Sequence, residues 1–259
     1  MRFALIGVIA VTLSSNAALA QDPTHDWTGI YVGIEGGGGA GSSKASSACV
    51  DPAGNVFFDN SVDCADSIAS GALPTSFAAN LKGAIGGAEA GYNTQIDRWV
   101  FGVEADISKS GLKSSDVQVP SALVLGGLQE TVGVFQDLNW LATLRGRVGY
   151  ATGDILVYAT GGLAAGEVDA GYALLEDQSG GFALDARSRK AVGWTAGAGA
   201  EMAFGAWSLK GEVLHYDLGK QKLSAEFNIP GDGPKGTVFN TEVETSGNLI
   251  RLGLDYHFE

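Results

Sequence analysis

Acidic and basic side chains recur at alternate positions along most extended stretches of this sequence, and paired carboxylates of this kind could serve as general acids and bases. The acids outnumber the bases on the face that they share. That face carries Glu35, Glu89, Glu104, Asp106, Glu201, Glu212 and Asp255 together with Arg145, Arg147, Lys210 and Arg251. Because these groups recur on every stretch whose facing can be assigned, they favour salt bridges that fill the lumen of a small barrel over a catalytic site.

The spacing of these residues from the ends of their stretches predicts which of them meet. Glu104 and Arg145 lie equally far from the aromatic ends of consecutive stretches, so they are expected to pair. Lys210 and Glu201 are expected to pair across the following hairpin for the same reason. The predicted lumen network comprises Glu104, Arg145, Arg147, Glu201, Lys210, Glu212 and Arg251.

Three histidines and a glycine run are the remaining candidates for chemistry. His215 lies on an outward face beside Asp217, which invites comparison with esterases that combine a histidine with a serine nucleophile and a carboxylate. The neighbouring outward positions of its own stretch hold no serine. His25 lies in the leader, His257 lies next to the last aromatic residue, and the run Gly36–Gly39 lacks the lysine and helix of a phosphate loop. The sequence therefore predicts a protein that is not an enzyme and has no catalytic residue, cofactor or metal.

The elements that must position these residues are eight stretches in which apolar and polar residues alternate with period two, as in β-strands with two different faces. The facing of residues 155–168 is not fixed by the pattern. Short connections fall at 95–98, 152–154 and 205–206, and long loops are expected at 41–81, 108–136, 169–189 and 218–245. This alternation predicts an all-β fold, an eight-stranded antiparallel transmembrane β-barrel with long extracellular loops and short periplasmic turns.

Aromatic residues are expected to form rings at the two ends of the apolar face. With the short turns at the bottom, the lower girdle is predicted to contain Trp27, Trp99, Tyr150, Phe204, Trp207 and Phe258. Trp140 and Trp194 lie at the opposite end. Two such rings separated by aliphatic residues are what the two headgroup interfaces of a membrane select.

The N-terminal residues predict export. Residues 1–20 read as a signal peptide, residues 21–26 as a short periplasmic leader and residues 27–259 as one barrel domain. No other stretch approaches the 18 or so consecutive apolar residues of a membrane-spanning helix. The formal net charge of −13 argues against nucleic acid as a partner.

Cys49 and Cys64 lie in one stretch rich in glycine, alanine and serine. In an exported protein, two cysteines in this setting predict a disulfide more readily than a metal site, which would need further ligands.

Several strand motifs carry a resemblance over essentially the whole mature chain. They are Trp27–Gly33, Val100–Asp106, Thr143–Tyr150, Tyr158–Leu163, Gly193–Glu201 and Arg251–Phe258. By these motifs the sequence resembles the opacity-type surface antigens and small OmpA-like barrels of Gram-negative bacteria, in the alphaproteobacterial branch often labelled "porin family". The resemblance implies residence in the outer membrane beside lipopolysaccharide, and a terminal signal at Tyr256 and Phe258 that is read by the barrel-assembly machinery.

Three functions stay open on this evidence. The first is a structural scaffold that supports envelope integrity. The second is an adhesin, or a receptor for a host or environmental ligand such as haem, acting through the loops. The third is a narrow pore, which the acidic excess of the lumen would make cation-preferring. Eight strands leave an interior that side chains fill, so a wide channel is not expected.

Overall fold

The chain folds into a single closed antiparallel barrel, seen in a computed structural model that describes residues 25–50, 75–118, 130–176, 180–231 and 233–258. Each strand pairs with its sequence neighbours, and the first pairs with the last. The strands are β1 (Gly29–Val50), β2 (Ser76–Ile96), β3 (Trp99–Gln118), β4 (Glu130–Thr152), β5 (Ile155–Glu176), β6 (Phe182–Phe204), β7 (Trp207–Ile229) and β8 (Gly233–Phe258). The predicted fold class is therefore confirmed. In the ranges that the structure describes, no helix has the length and apolar character needed to cross a membrane.

Three two-residue turns join the strands at one end of the barrel. They begin at Asp97, Gly153 and Gly205, whose φ angles are 55°, 58° and 66°. A positive φ at this position suits the tight hairpin turns whose twist matches that of the flanking strands. This is the end that the sequence predicts to be periplasmic.

The strands are much longer than a bilayer requires, and the predicted loop boundaries are wrong. Strand lengths run from 20 to 26 residues, whereas a membrane strand needs about 9 to 11. Strand covers most of the expected loops 108–136, 169–189 and 218–245, and it also covers residues 41–50 and 76–81 of the first expected loop. The reason is that the alternation of apolar and polar residues continues into these ranges with the apolar series facing inward, so their outward polar side chains resemble those of a loop.

The barrel has two halves of opposite polarity, divided at the level of Trp140 and Trp194. In the membrane half, between that level and the periplasmic turns, the outward side chains are apolar and exposed, including Ile34, Ile107 and Leu252. In the outer half, beyond that level, the buried interior is mostly apolar. Its upper apolar cluster contains Ala45, Phe77, Val132, Val134, Ala170, Tyr172, Leu174, Ala183, Leu223, Ala225, Phe227, Phe239 and Val243. A second apolar cluster lies at the dividing level and reaches into the membrane half; it contains Leu81, Ile85, Leu112, Leu138, Leu141, Ala164, Val168, Ala191, Leu214, Tyr216, Leu218 and Leu249.

The structure also fixes the facing of β5, which the sequence left open. Leu156 and Tyr158 are buried inside the barrel, and Ile155 and Val157 face outward. The outward series continues at Leu163, which is exposed. Small residues between these positions explain why the alternation was weak in the sequence.

Trp27 does not belong to the lower girdle, which corrects the prediction. The side chain is fully buried, with its ring 4.7 Å from His25 and 5.6 Å from His257. Trp27 precedes Tyr31 by four residues, so in an alternating chain both side chains fall on the inward face. Trp27 therefore fills the barrel interior near the turn end and does not face lipid. The structure places the other expected girdle residues on the outward face, all exposed: Trp99, Tyr150, Phe204, Trp207 and Phe258.

Candidate functional site

The lumen of the membrane half holds all eleven charged residues that share the inward face. Glu104 on β3 lies opposite Arg145 on β4 in the strand register. Their side chains form a fully buried ion pair, as the spacing predicted. Alternation along the strands therefore brings together the residues that sequence analysis grouped.

Arg145 and Arg251 share two carboxylates at the upper level of this network. Arg145 donates to both oxygens of Glu212 at 2.8 and 2.7 Å and to Asp106 at 3.1 Å. Arg251 donates to Glu212 at 2.9 Å, to Asp106 at 3.1 Å and to Glu35 at 2.5 Å. Because each arginine presents a planar fork of donors, it can hold acids from several strands at once.

Arg147 organises the level below. Its guanidinium donates to Glu201 at 2.6 Å and to Glu104 at 3.3 Å. The same group lies 4.9 Å from the ring centroids of both Tyr31 and Tyr158, so two aromatic faces sandwich it. Charge pairing and cation–π contact together satisfy a cation that has almost no access to solvent.

Lys210 departs from its predicted partner. The prediction of a Lys210–Glu201 ion pair is wrong, although the two residues face each other in the β6–β7 register. The ammonium instead pairs with Glu89 and, at 3.2 Å, with Glu104. Since Arg147 already pairs with Glu201, the flexible lysine side chain extends to Glu89 and shares Glu104 with Arg145 and Arg147.

Neutral side chains complete the network, and sequence analysis missed their role. The Tyr31 hydroxyl donates to Glu104 at 2.6 Å, and Ser108 donates to Glu35 at 2.6 Å. Asn93 accepts from Arg147 at 2.9 Å. Each of these residues lies at an inward position of its strand. Strand alternation therefore indicates their facing, but it does not indicate that neutral side chains join the ionic network.

The periplasmic end brings a serine and a histidine together. Ser208 Oγ lies 3.0 Å from Nε2 of His257, whose ring stacks on Tyr31. Ser208 has no exposed surface and His257 retains 7% of its own. A substrate would have to enter a filled lumen to reach this pair, so the contact serves the packing around Trp27.

His215 lies at the outer edge of the apolar belt. Its Nδ1 is 3.0 Å from the Asn248 amide oxygen, and its ring lies 5.1 Å from that of Trp194. The neighbours of this histidine are thus the amide of Asn248 and the indole of Trp194. The arrangement is an aromatic and polar contact at the headgroup level, without the serine of an esterase.

The predicted disulfide falls partly outside the described residues. Cys49 lies near the outer end of β1 and packs against the upper apolar cluster. Cys64 lies outside the described ranges, so the pairing stays a prediction.

The outward face of the outer half is mostly polar and charged, although Phe135, Leu175 and Leu184 are also exposed there. Lys113 pairs with Asp137 at 3.1 Å and Lys220 with Glu242 at 2.7 Å. The hydrogen bond from Lys220 lowers the pKa of Glu242 and raises that of the lysine. The two lysines are exposed and the two acids are partly exposed, so this exterior resembles that of a soluble protein.

Comparisons with known proteins agree with this architecture. The family described as "Outer membrane protein beta-barrel domain" matches residues 6–258. The 31 kDa outer-membrane immunogenic protein of Brucella melitensis is 35% identical over 98% of this chain and 93% of its own length. The 25 kDa outer-membrane immunogenic protein of Brucella canis is 26% identical over 91% of this chain and 81% of its own length.

The solved structures that align with this chain include two outer-membrane proteins. OprG from Pseudomonas aeruginosa aligns with a TM-score of 0.42 and 11% identity, covering 92% of this chain and all of OprG. Neisserial surface protein A aligns with a TM-score of 0.35 and 14% identity, covering 89% of this chain and 98% of its own.

Proposed function

The chain belongs to the outer membrane protein beta-barrel domain family and resides in the bacterial outer membrane, and from that premise we propose that it is a closed structural barrel. In this proposal the membrane half anchors the protein, and the outer half is a rigid platform that presents a surface for recognition. The observation that carries the proposal is the reversal of polarity between the two halves.

The strand lengths support the platform. β1 has 22 residues, which at about 3.3 Å per residue and a tilt of about 40° extends roughly 55 Å along the barrel axis. The apolar band of such barrels is about 25 Å tall. Roughly half of each strand therefore stands above the membrane, and its buried apolar interior stabilises it there as in a water-soluble β-protein.

The filled interior argues against a pore. An ion that passed the charged lumen would next meet the apolar clusters, where Val132, Leu174 and Leu223 have no exposed surface. Moving a charge into such a region without partners is strongly unfavourable. The cation-preferring leak suggested by the acidic excess is disfavoured for this reason, and the protein is proposed to be non-enzymatic and non-conducting.

Partners follow from the position of each half. The girdle residues Trp99, Trp207 and Phe258 would contact lipid headgroups, and the charged exterior above them would lie among the sugars of lipopolysaccharide. Tyr256 and Phe258 would present the signal to the assembly machinery. The Brucella relatives are named outer-membrane immunogenic proteins, which supports an exposed antigenic role for the outer half.

Conductance and surface labelling test the proposal together. Purified protein in a planar bilayer should be silent, with a general porin as positive control. On intact cells, Lys44→Cys should react with a membrane-impermeant maleimide above the background of the unsubstituted chain, while Leu252→Cys should not. Stable conductance would contradict the closed barrel, and an unreactive Lys44→Cys would contradict the raised platform.

A further inference from the structure

The barrel wall is interrupted between β6 and β7, directly above the outer aromatic level. The two strands pair at Ala183 with Phe227 and pair again only at Trp194 with Asp217. Residues 184–193 and 218–226 between these points lack strand partners across the gap. We call these two segments the β6–β7 slit. An ordinary β-bulge adds one residue, so an interruption of this length is an opening in the wall.

Both edges of the slit belong to strands that are held firmly on their other side. β6 keeps its ladder with β5 through the whole segment, for example at Lys190 with Glu167. β7 keeps its ladder with β8 from Lys220 to Glu226. The slit is therefore bounded by two ordered strand edges.

Side chains cross the slit where backbone bonds do not. Arg189 Nη1 donates to the Lys220 carbonyl at 2.5 Å, and Gln221 Nε2 donates to the Arg187 carbonyl at 3.2 Å. The Ser224 backbone N–H donates to the Asp185 carboxylate at 2.8 Å. A side chain spans each of these contacts, so the strands stand farther apart than in a ladder. Residues 186–190 of β6 are exposed on both faces, which fits the same separation.

The slit is also the most basic region of the outer half. Arg187, Arg189 and Lys190 lie on one edge, and Lys220 and Lys222 lie on the other. They are five of the 16 lysines and arginines in a chain whose net charge is −13. Two of them already form ion pairs, Arg187 with Asp185 and Lys220 with Glu242. Arg189, Lys190 and Lys222 attract further negative charge to a place where backbone groups lack strand partners.

We propose that the β6–β7 slit binds an extended acidic segment of another polypeptide as an added β-strand. An open strand edge is a template for a further strand, and main-chain bonds then supply affinity while flanking side chains supply specificity. Anionic lipid headgroups could satisfy the basic side chains. They could not supply alternating N–H and C=O groups along an edge, so a peptide fits the observations better. Because the slit begins above Trp194, the partner approaches from outside the cell.

The proposal can be tested with the full chain in nanodiscs and a short fluorescent peptide that alternates glutamate and valine. The peptide should bind, more weakly at higher salt, and the matching lysine–valine peptide should not. Because both edges of the slit face the peptide, N-methylation of alternate amides on either edge of the peptide should weaken binding. Unchanged binding by the N-methylated peptides would show that charge alone holds the peptide and would overturn strand pairing.

Charge reversals locate the site. The double variant Lys190→Glu with Lys222→Glu should weaken binding roughly tenfold or more, because like charges then face the peptide. The control is Lys44→Glu with Lys109→Glu, two exposed lysines that have strand partners on both sides, and it should bind as the parent does. All four lysines lie outward, so the heat-modifiable gel shift should show that both variants fold.

Two outcomes would overturn the assignment. If the control reversal weakens the peptide as much as the slit reversal, the binding site lies elsewhere. If lipopolysaccharide binds in a way that the slit reversal abolishes while the peptide does not bind at all, the slit is a glycolipid contact.

Discussion

The two halves of the barrel use the same eight strands with opposite polarity. In the membrane half, Ile250 and Leu252 face lipid while Arg251 between them is buried in an ionic lumen. In the outer half, Leu223 and Ala225 fill the interior while Ser224 between them faces solvent. The period of two is unchanged across the boundary, so the surrounding solvent decides which face is apolar.

The halves consequently differ in what stabilises them. Lipid offers no hydrophobic gain for burying aliphatic side chains, so the membrane half is held by its backbone ladder and by the lumen network. The outer half stands in water and gains from its apolar core. Substitutions on the two sides should separate these contributions.

The largest effect is expected from removing a cation of the lumen. Arg145→Ala leaves Glu212, Asp106 and Glu104 without one of their partners, and breaking a buried pair in this way typically costs about 3 to 5 kcal/mol. Urea unfolding in detergent, followed by the heat-modifiable gel shift, should show the loss. Arg187→Ala is the control, since its partner Asp185 lies in a half-exposed pair. Unchanged stability in Arg145→Ala would mean that the network contributes little to the membrane half.

A core deletion in the outer half should cost slightly less and should act locally. Phe239→Ala removes a buried ring that stacks on Tyr172 with centroids 5.7 Å apart, at a cost of about 3 kcal/mol. Hydrogen exchange should speed up in the outer half while the ladder of the membrane half stays protected. If exchange rises equally in both halves, they are one cooperative unit and the comparison fails.

A charge on the outward face should discriminate between the halves. Leu252→Arg places a cation in the apolar belt and should destabilise the protein by about 2 kcal/mol or more. Ala48→Arg, at an exposed outward position of the outer half, should be close to neutral. If both substitutions shift the unfolding midpoint equally, the boundary assigned between the two halves is wrong.

The smallest effect concerns the exposed pair of Lys220 and Glu242. The pKa of Glu242 is lowered by its hydrogen bond to Lys220. The contribution is therefore present above the ordinary carboxyl pKa and is lost as the pH falls through the lowered value. Added salt should also reduce the contribution of this ion pair to stability, because it screens exposed charges. The unfolding temperature of the parent should fall slightly more than that of Lys220→Met as the pH is lowered through the acid range. An identical pH dependence in both proteins would show that the pair contributes nothing.

Strand number, order and the inward charged positions were predictable from the sequence, because alternation and short turns are local signals. The outer half was not, because a stretch such as residues 218–229 reads as polar loop unless its inward series of Leu223, Ala225 and Phe227 is recognised. The Lys210–Glu201 error has a different cause. Register identifies which residues are neighbours, but competition for Glu201 by Arg147 depends on three-dimensional distances across the lumen.

The ladder that closes the barrel has a kinetic consequence. β1 and β8 pair without a register break from Ile30 with Phe258 to Val50 with Val238, which joins the first and last strands of the barrel. Contacts of such high sequence separation carry a large loop-closure entropy and form slowly. One edge of β1 therefore stays unpaired during folding until β8 is available to pair with it. During that interval the polypeptide depends on protection from aggregation, and a chain that lacks β8 would remain in that vulnerable state.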